Sequence, residues 1–391
     1  MKWLKRLTYI FTLLVIGFTP LDAIEISEGS NITYGRYLFI AMTFFAILSK
    51  DILPRKLPDF VNFLLVFTIW AWVSIFWSIG PELTFTRCLY LIQYLIIVLV
   101  MCSVLTTSRR VSLAMAAWAI GACYIAYMTA TDYAVNTIST NELYRVSAYG
   151  NPNENSFMLV YGLVMCYIID KTTTKLPSLA MTAFSVYAII ANGSRMGIIL
   201  FIIAVAGFCI SLWQSKKRLY VIVLIPVIIA FGSYILANIP TATLLRIMGI
   251  TDDIEAGQFA HREVIWDCAF RALSNHESYY IFGSGWGTFP LVVKDFFANK
   301  GAHNFYLDAL VTVGCIGLII IILYFVKLFS IIRKTKGVSI INYMLLFLPL
   351  ISMMSTNWQS RRWWFMMGAF IFLVYKTNNL SNGNSVDAIR Q

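Results

Sequence analysis

The sequence predicts an all-α integral membrane protein with about twelve transmembrane helices and one large loop that contains short helices. Three observations predict this class: an apolar composition, a series of separate apolar segments, and a regular alternation of basic loops. Of the 391 residues, 59% are hydrophobic and only 13% are charged, and the mean hydropathy is +0.74. Soluble domains carry about a quarter charged residues. We therefore expect most of the surface to face lipid.

The apolar segments are close to the roughly 20 residues that a membrane helix needs. The expected spans are 7–24, 35–49, 59–78, 84–105, 112–130, 155–170, 178–192, 196–213, 219–238, 305–326, 340–356 and 363–375. Asn192-Gly193-Ser194-Arg195 interrupts the apolar run 178–213, which is too long for a single span. We therefore expect a tight hairpin at this interruption.

The basic residues alternate between loops as the positive-inside rule requires. With the N-terminus in the cytoplasm, twelve spans place 19 of the 30 Lys and Arg residues on the cytoplasmic side. These anchors account for the net charge of +11, so we predict no nucleic-acid partner. The eleven basic residues on the other side are mostly arginine, whose planar fork suits phosphate. They are Arg36, Arg87, Arg145, Arg195, Arg246, Arg262, Arg271, Lys294, Lys300, Arg361 and Arg362.

The same topology divides the chain into four parts. Residues 1–239 hold the first nine spans, 240–303 form the large non-cytoplasmic loop, 304–376 hold the last three spans, and 377–391 form a cytoplasmic tail. Apolar residues recur near helical spacing over 263–273, which predicts an amphipathic helix in the large loop. Walker-type nucleotide motifs do not occur in the sequence.

Three residues of the non-cytoplasmic side are candidates for chemistry. His303 ends the large loop, where a side chain can exchange protons with water; alternatively it anchors a helix start that Asn304 caps. Arg195 lies in the break between two spans, where a helix N-terminus favours an anion. Arg262 begins the amphipathic loop helix; alternatively it pairs locally with Glu263 or Asp267.

A glycine-rich stretch, Gly283-Ser284-Gly285-Trp286-Gly287, lies in the same loop. It lacks the preceding strand and the following Lys-Ser/Thr of a phosphate loop. We interpret it as a turn under a lipid or sugar site, where Trp286 could stack on a glycan. The three histidines do not have metal-ligand spacing, so no metal is predicted.

Several short motifs follow one another over about 190–320. They are Asn192-Gly-Ser-Arg195-Met-Gly197, Arg262-Glu-Val-Ile-Trp266, Phe282-Gly-Ser-Gly-Trp-Gly287, and His303-Asn-Phe-Tyr-Leu-Asp308 through Gly314-Cys-Ile-Gly317. In their order and spacing they resemble the O-antigen ligase and polymerase family of bacterial envelope glycosyltransferases, and Gly150-Asn-Pro-Asn153-Glu-Asn155 upstream is also similar.

The resemblance implies an inverting glycosyl transfer without metal or cofactor on the periplasmic face of the bacterial inner membrane. The donor would be a glycan on undecaprenyl diphosphate, and the acceptor would be lipid A core or a growing polysaccharide. Arg195 and Arg262 would hold the diphosphate, and His303 would act as general base. Further candidates for lining the substrate are Arg87, Arg145, Asn304, Trp286 and Arg361, of which the three arginines match no family motif.

The motifs leave the acceptor open. We favour ligation onto lipid A core because the histidine and the two arginines fit the ligase pattern, and polymerisation of repeat units is the alternative. A protein O-oligosaccharyltransferase is less favoured because no additional C-terminal acceptor domain is visible. A transporter of lipid-linked sugars, from a different functional class, could also have twelve spans.

Overall fold

A computed structural model describes residues 2–22, 33–139, 151–169, 176–214, 218–238, 262–294, 301–356 and 362–381. Within these ranges the chain forms helices and no strand. The first nine helices are α1 Lys2–Phe18, α2 Tyr34–Ser49, α3 Asp59–Val73, α4 Pro81–Val104, α5 Ser108–Ser139, α6 Pro152–Ile169, α7 Leu176–Ala191, α8 Arg195–Gln214 and α9 Arg218–Asn238. The others are α10 Arg262–Asn275, α11 Ser278–Phe282, α12 Phe289–Val292, α13 Phe305–Arg333, α14 Ile340–Ser352 and α15 Trp363–Ser381, and a 3₁₀ turn, Ser74–Trp77, extends α3.

Each predicted span overlaps one helix of the structure. In the described part of the chain, six helical segments are long and apolar enough to cross a membrane: Asp59–Trp77, Pro81–Val104, Ser108–Thr131, Arg195–Gln214, Arg218–Asn238 and Phe305–Arg333. The protein is therefore a helical membrane protein, and the count of twelve spans stays a prediction. Helix α15 continues to Ser381, so the predicted tail begins inside a helix, and its residues 382–391 lie outside the described ranges.

Apolar side chains cover the outside of the bundle as well as its core. Helix α9 exposes large apolar residues along most of its length, including Ile222, Val223 and Ile229. In water such a surface would be unfavourable, whereas lipid makes the same contacts without a penalty. In the described ranges the core contains the fully buried indole rings of Trp118, Trp286, Trp363 and Trp364.

Helix α13 is broken at Gly314, where φ is 67° and ψ is −175°. This combination belongs to a backbone region that only glycine adopts without strain. The backbone of Ile281 also lies so close that a Cβ at this position would overlap its carbonyl oxygen. The break separates a short first half, which follows His303, from a long second half that ends at Arg333.

A broken helix leaves carbonyl groups without intrahelical donors, and inside a membrane protein other groups must satisfy them. The carbonyl of residue 311 accepts the backbone N–H of Ser284 at 2.8 Å, and the carbonyl of residue 312 accepts that of Gly285 at 3.0 Å. The carbonyl of residue 313 accepts the indole N–H of Trp70 at 2.9 Å. The glycine-rich loop therefore completes the hydrogen bonding of α13.

Helices α2, α4, α6, α8, α13 and α15 begin at the same end of the bundle. There Arg36 of α2 bonds Tyr90 of α4, and the ring of Phe157 in α6 packs on Trp363 of α15. We call this end the arginine end, because Arg36, Arg87, Arg195 and Arg362 all belong to its helix starts.

The opposite end carries lysines that pair with acids. Lys5 at the start of α1 lies 3.3 Å from Asp51 after α2, and Lys327 near the end of α13 lies 2.7 Å from Asp59 at the start of α3. We call it the lysine end. Among the described residues, the packing thus separates basic residues that the charge alternation assigned to opposite sides of the membrane.

Candidate functional site

The turn between α7 and α8 presents Arg195 at a helix N-terminus, as the predicted hairpin requires. Helix α7 ends at Ala191, Gly193 adopts a φ of 58°, and α8 begins at Arg195. The hydroxyl of Ser194 accepts the backbone N–H of Gly197 at 3.0 Å, which caps α8. Arg195 is partly exposed, so a guanidinium and a helix dipole of the same sign favour an anion at this point.

A second motif joins this turn from the start of α6. The Ser194 hydroxyl donates to Oδ1 of Asn153 at 2.9 Å. Gly197 packs on Ser156 so closely that a Cβ would lie 2.5 Å from the serine Cβ. The two motifs, about forty residues apart in sequence, therefore form one structure.

The contact between the start of α6 and the Arg195 turn is polar although it is buried. Asn153, Glu154 and Asn155 are each less than a tenth exposed, and Asn192 is completely buried. Within the described ranges neither amide atom of Asn192 has a hydrogen-bond partner. Buried amides are costly unless they are bonded, so Asn192 is suited to meet polar atoms of a ligand beside Arg195.

His303 lies on the turn that leads into α13. Its φ is 46°, an uncommon value for a residue with a side chain. Asn304 follows as the N-cap of α13, because its Oδ1 accepts the N–H groups of Tyr306 at 3.0 Å and Leu307 at 3.3 Å. The predicted cap is confirmed, and this oxygen of Asn304 is committed to the helix rather than to a substrate.

The loop helix α10 holds the other side of the His303 turn. The indole N–H of Trp266 donates to the carbonyl of Ala302 at 2.9 Å. Ile265, Cys268 and Leu273 pack in a cluster that includes Leu307 and Val311 of α13. The predicted amphipathic helix is therefore confirmed, and it fastens the residue that precedes His303.

Arg262 begins α10, four residues before Trp266 and hence on the same face of the helix. Burial lowers the pKa of Arg262 from its usual value, although the group remains charged at neutral pH. Asp267 pairs instead with Arg271 at 2.7 Å. In the described part of the chain, Asp267 therefore pairs with Arg271 and not with Arg262.

The Arg195 turn and the His303 turn lie on either side of the start of α15. Phe157, one turn after Asn153, packs against Trp363 with the ring planes tilted by 45° and the centroids 4.5 Å apart. Phe305, two residues after His303, packs edge-on against Trp364 at 6.1 Å. Two adjacent tryptophans therefore connect the two parts of the candidate site at the arginine end.

Trp286 has a different position from the one that sugar stacking requires. Its ring is completely buried and packs edge-on against Phe67 at 5.3 Å, and its backbone N–H donates to Ser74 Oγ at 3.0 Å. A sugar ring cannot reach this face. Trp286 instead anchors the glycine-rich loop, which supports the broken helix rather than a bound glycan.

The remaining candidate arginines are only partly described. Arg87 lies on α4 beside Gly287 and close to Tyr90. Arg145 and Arg361 lie outside the described ranges. Their neighbour Arg362 is buried and forms an ion pair with Asp22 at 2.6 Å, so its charge is already balanced.

Residues 180–322 match the model of the O-antigen ligase family. This segment belongs to the O-antigen ligase and polymerase family. The family resemblance of the motifs is therefore confirmed, and the segment contains Arg195, Arg262 and His303. No curated protein and no solved structure matches the chain.

The O-antigen ligase family that residues 180–322 match is glycosyltransferase-like, and it implies a lipid-linked glycan donor and an acceptor at the membrane. Asn153 and Trp363 lie outside the matched segment and contribute to the site only through the fold. Their part in the site was not predicted, because one sequence does not reveal which helices pack together.

Proposed function

We propose that this protein transfers a glycan from undecaprenyl diphosphate to an acceptor sugar on the periplasmic face of the bacterial inner membrane, and that the reaction is ligation of O-antigen onto lipid A core. The observation that carries the proposal is the O-antigen ligase segment itself. This segment contributes Arg195 at the start of α8 and His303 before the start of α13. Trp363 and Trp364 connect these two helix starts at one end of the bundle.

Arg195 and its polar surroundings are suited to hold the donor diphosphate. The N-terminus of α8 and the guanidinium both favour negative charge. The amide of Asn192 supplies a donor and an acceptor in the buried region next to this point. As the glycosidic bond to the diphosphate breaks, charge grows on the leaving oxygen, and groups already in place stabilise it most.

Arg262 would add a second positive charge from the loop side. Removal of its guanidinium from water is unfavourable, as the direction of its pKa shift indicates. A diphosphate bound beside it would offset that cost. Because Trp266 on the same helix face bonds the residue before His303, α10 links Arg262 to the His303 turn.

His303 would act as the base. The acceptor hydroxyl oxygen attacks the anomeric carbon from the face opposite the diphosphate, the carbon–oxygen bond to the diphosphate breaks, and the hydroxyl proton passes to the imidazole. One displacement of this kind inverts the anomeric configuration. The rigid turn around His303 is consistent with such a role, because general bases work best when they are held in position.

Reconstitution tests the function directly. Purified protein is incubated with an undecaprenyl-diphosphate-linked glycan and either lipid A core or a second molecule of the lipid-linked repeat. Transfer to lipid A core is expected. Transfer only to the lipid-linked repeat would reassign the protein as a polymerase, and absence of transfer to both acceptors would favour a transport role.

The first prediction concerns His303. His303→Ala should lower glycan transfer by about a hundredfold or more, because general bases contribute 10²–10⁴ in rate. The measurement is initial rate in the reconstituted assay, and the matched control is His276→Ala, an exposed histidine beside Tyr279. Equal rates for the two variants would remove His303 from the mechanism.

The second prediction concerns the diphosphate site. Arg195→Ala and Arg262→Ala should each reduce kcat/KM by about 10²-fold, because each removes a charge that stabilises the leaving group. Arg195→Lys should recover part of the loss, since it restores charge without the bidentate fork. Arg271→Gln, which affects an exposed pair on α10, is the control and should retain wild-type kinetics.

A further inference from the structure

A second arrangement of arginines occurs at the arginine end, between α2 and α4. Arg36 donates from Nη2 to the hydroxyl of Tyr90 at 2.9 Å. The Cζ atoms of Arg36 and Arg87 lie 5.6 Å and 5.9 Å from the centroid of the same tyrosine ring. One tyrosine thus holds two guanidinium groups together.

Neither guanidinium has an acidic partner within the described ranges. Glu82, in the first turn of α4, forms no ion pair with Arg36 or Arg87 in that part of the chain. Two positive charges held close together repel each other, so an anion between them would be favourable. Arg362 at the same end shows the contrast, since Asp22 already neutralises it.

The position of Arg87 is held by its surroundings. Gly287 packs against its side chain so closely that a Cβ would lie 2.5 Å from Arg87 Cγ, and its φ of +86° also favours glycine. The Nε of Arg87 is buried and, within the described part of the chain, has no hydrogen-bond partner. A guanidinium that is fixed at its stem loses little conformational freedom when its outer N–H groups receive an anionic oxygen.

The helix faces beside the pair identify the kind of molecule that carries the anion. On α2, Ile40 and Phe44 follow Arg36 at one-turn intervals and are more than half exposed. On α4, Leu89 and Ile92 are also exposed. An apolar chain can therefore run along these helices below a charged group held at Arg36 and Arg87.

We propose that Arg36, Arg87 and Tyr90 form a binding site for a lipid-borne phosphate, made of different residues from the Arg195, Arg262 and His303 site. The planar guanidinium groups match phosphate oxygens bidentately. The lipid is either a membrane phospholipid or a polyprenyl diphosphate. Only the second source rests on the proposed function, because it would be the donor or the released carrier.

The test measures lipid binding to the purified full-length protein in detergent, without any need for turnover. The background is Arg195→Gln with Arg262→Gln, so that the donor site does not contribute. The probes are a polyprenyl diphosphate and phosphatidylglycerol, and the readout is the bound fraction by native mass spectrometry. Arg36→Gln with Arg87→Gln is compared with Arg109→Gln, an exposed arginine at the lysine end.

Loss of both guanidinium groups should weaken binding about tenfold or more, in line with the strength of charge-assisted hydrogen bonds, whereas Arg109→Gln should leave it unchanged. A loss confined to the polyprenyl diphosphate would assign the site to the carrier lipid, and an equal loss for both probes would assign it to lipid phosphate in general. Unchanged binding of both probes would overturn the proposal.

Two further variants separate phosphate binding from folding. Tyr90→Phe retains the ring and both charges, and Arg36→Lys with Arg87→Lys retains the charges without the forks. Both should keep measurable binding, with the lysine variant weaker than the phenylalanine variant. If the phenylalanine variant lost binding as completely as the glutamine variant, the phosphate site would be wrong.

Discussion

Single hydroxyl and amide groups connect parts of the chain that the sequence keeps far apart. Ser194 is the clearest case, because its Oγ both caps α8 through Gly197 and donates to Asn153 of α6. Such a residue positions Arg195 without contacting substrate. Its removal should therefore affect stability and turnover together.

The third prediction follows from this double role. Ser194→Ala should destabilise the folded protein by about 1–2 kcal/mol, the usual cost of a lost N-cap, and should also raise the KM for the lipid-linked donor. Thermal unfolding in detergent and transfer kinetics are the measurements. Ser274→Ala is the control, since its hydroxyl bonds only the Phe270 carbonyl on an exposed helix face. Equal stability of the two variants would contradict the predicted role.

At the residue scale, the sequence predicted those features that depend only on residues close together in the chain. The cap by Asn304 and the turn before Arg195 follow from residue types in short stretches, and both are confirmed. The buried position of Trp286 and the pairing of Arg36 with Tyr90 depend on neighbours from distant helices. A single sequence does not contain that information.

The broken helix α13 and the glycine-rich loop act as one element. The loop supplies N–H groups to the carbonyls before Gly314, and its three glycines have positive φ and lie closely against Thr312, Ser78 and Arg87. Gly285, with a φ of +110°, lies directly against Ser78. This contact explains the glycine pattern without any bound phosphate.

The fourth prediction tests this element. Gly285→Ala should lower stability by about 1–3 kcal/mol through backbone strain alone, with a further loss from the overlap with Ser78. Gly232→Ala is the matched control, because in α9 nothing lies within 4 Å of an added Cβ, and alanine is the better helix former. Thermal unfolding should show a decrease for the first variant and none for the second.

Apolar length and periodicity predicted the helices themselves, since each expected span overlaps one helix. They did not predict the interruption of α13. The stretch from Phe305 to Gly314 contains a single charged residue, Asp308, and its hydropathy is that of one uninterrupted span. Gly314 breaks the helix because Ile281 approaches the backbone there. Breaks of this kind come from packing, which hydropathy does not describe.

At the scale of the whole molecule, the separation of arginine and lysine ends gives the bundle a direction. The arginine end holds the candidate site and the proposed lipid-phosphate site, whereas the lysine end holds ion pairs such as Lys327 with Asp59. By the positive-inside rule the lysine end should face the cytoplasm. The orientation can be measured independently of activity.

The fifth prediction concerns this orientation. In intact cells with a permeabilised outer membrane, a membrane-impermeant maleimide should label Glu82→Cys, which is exposed at the arginine end, but not Lys336→Cys at the lysine end. The second variant should be labelled only after the inner membrane is opened. The parent protein, whose cysteines lie mostly in buried or apolar positions, serves as the control. The reverse labelling pattern would invert the topology.

The paired tryptophans at the start of α15 have a consequence for attempts to recombine this protein with relatives. The segment 180–322 carries the family match, yet Phe157, Trp363 and Trp364 lie outside it and connect the helix starts beside its two candidate turns. A chimera that transplants only 180–322 would lose these contacts. Exchange of specificity between relatives should therefore require that α6 and α15 are transplanted together with the segment. We expect the three regions to evolve together for the same reason.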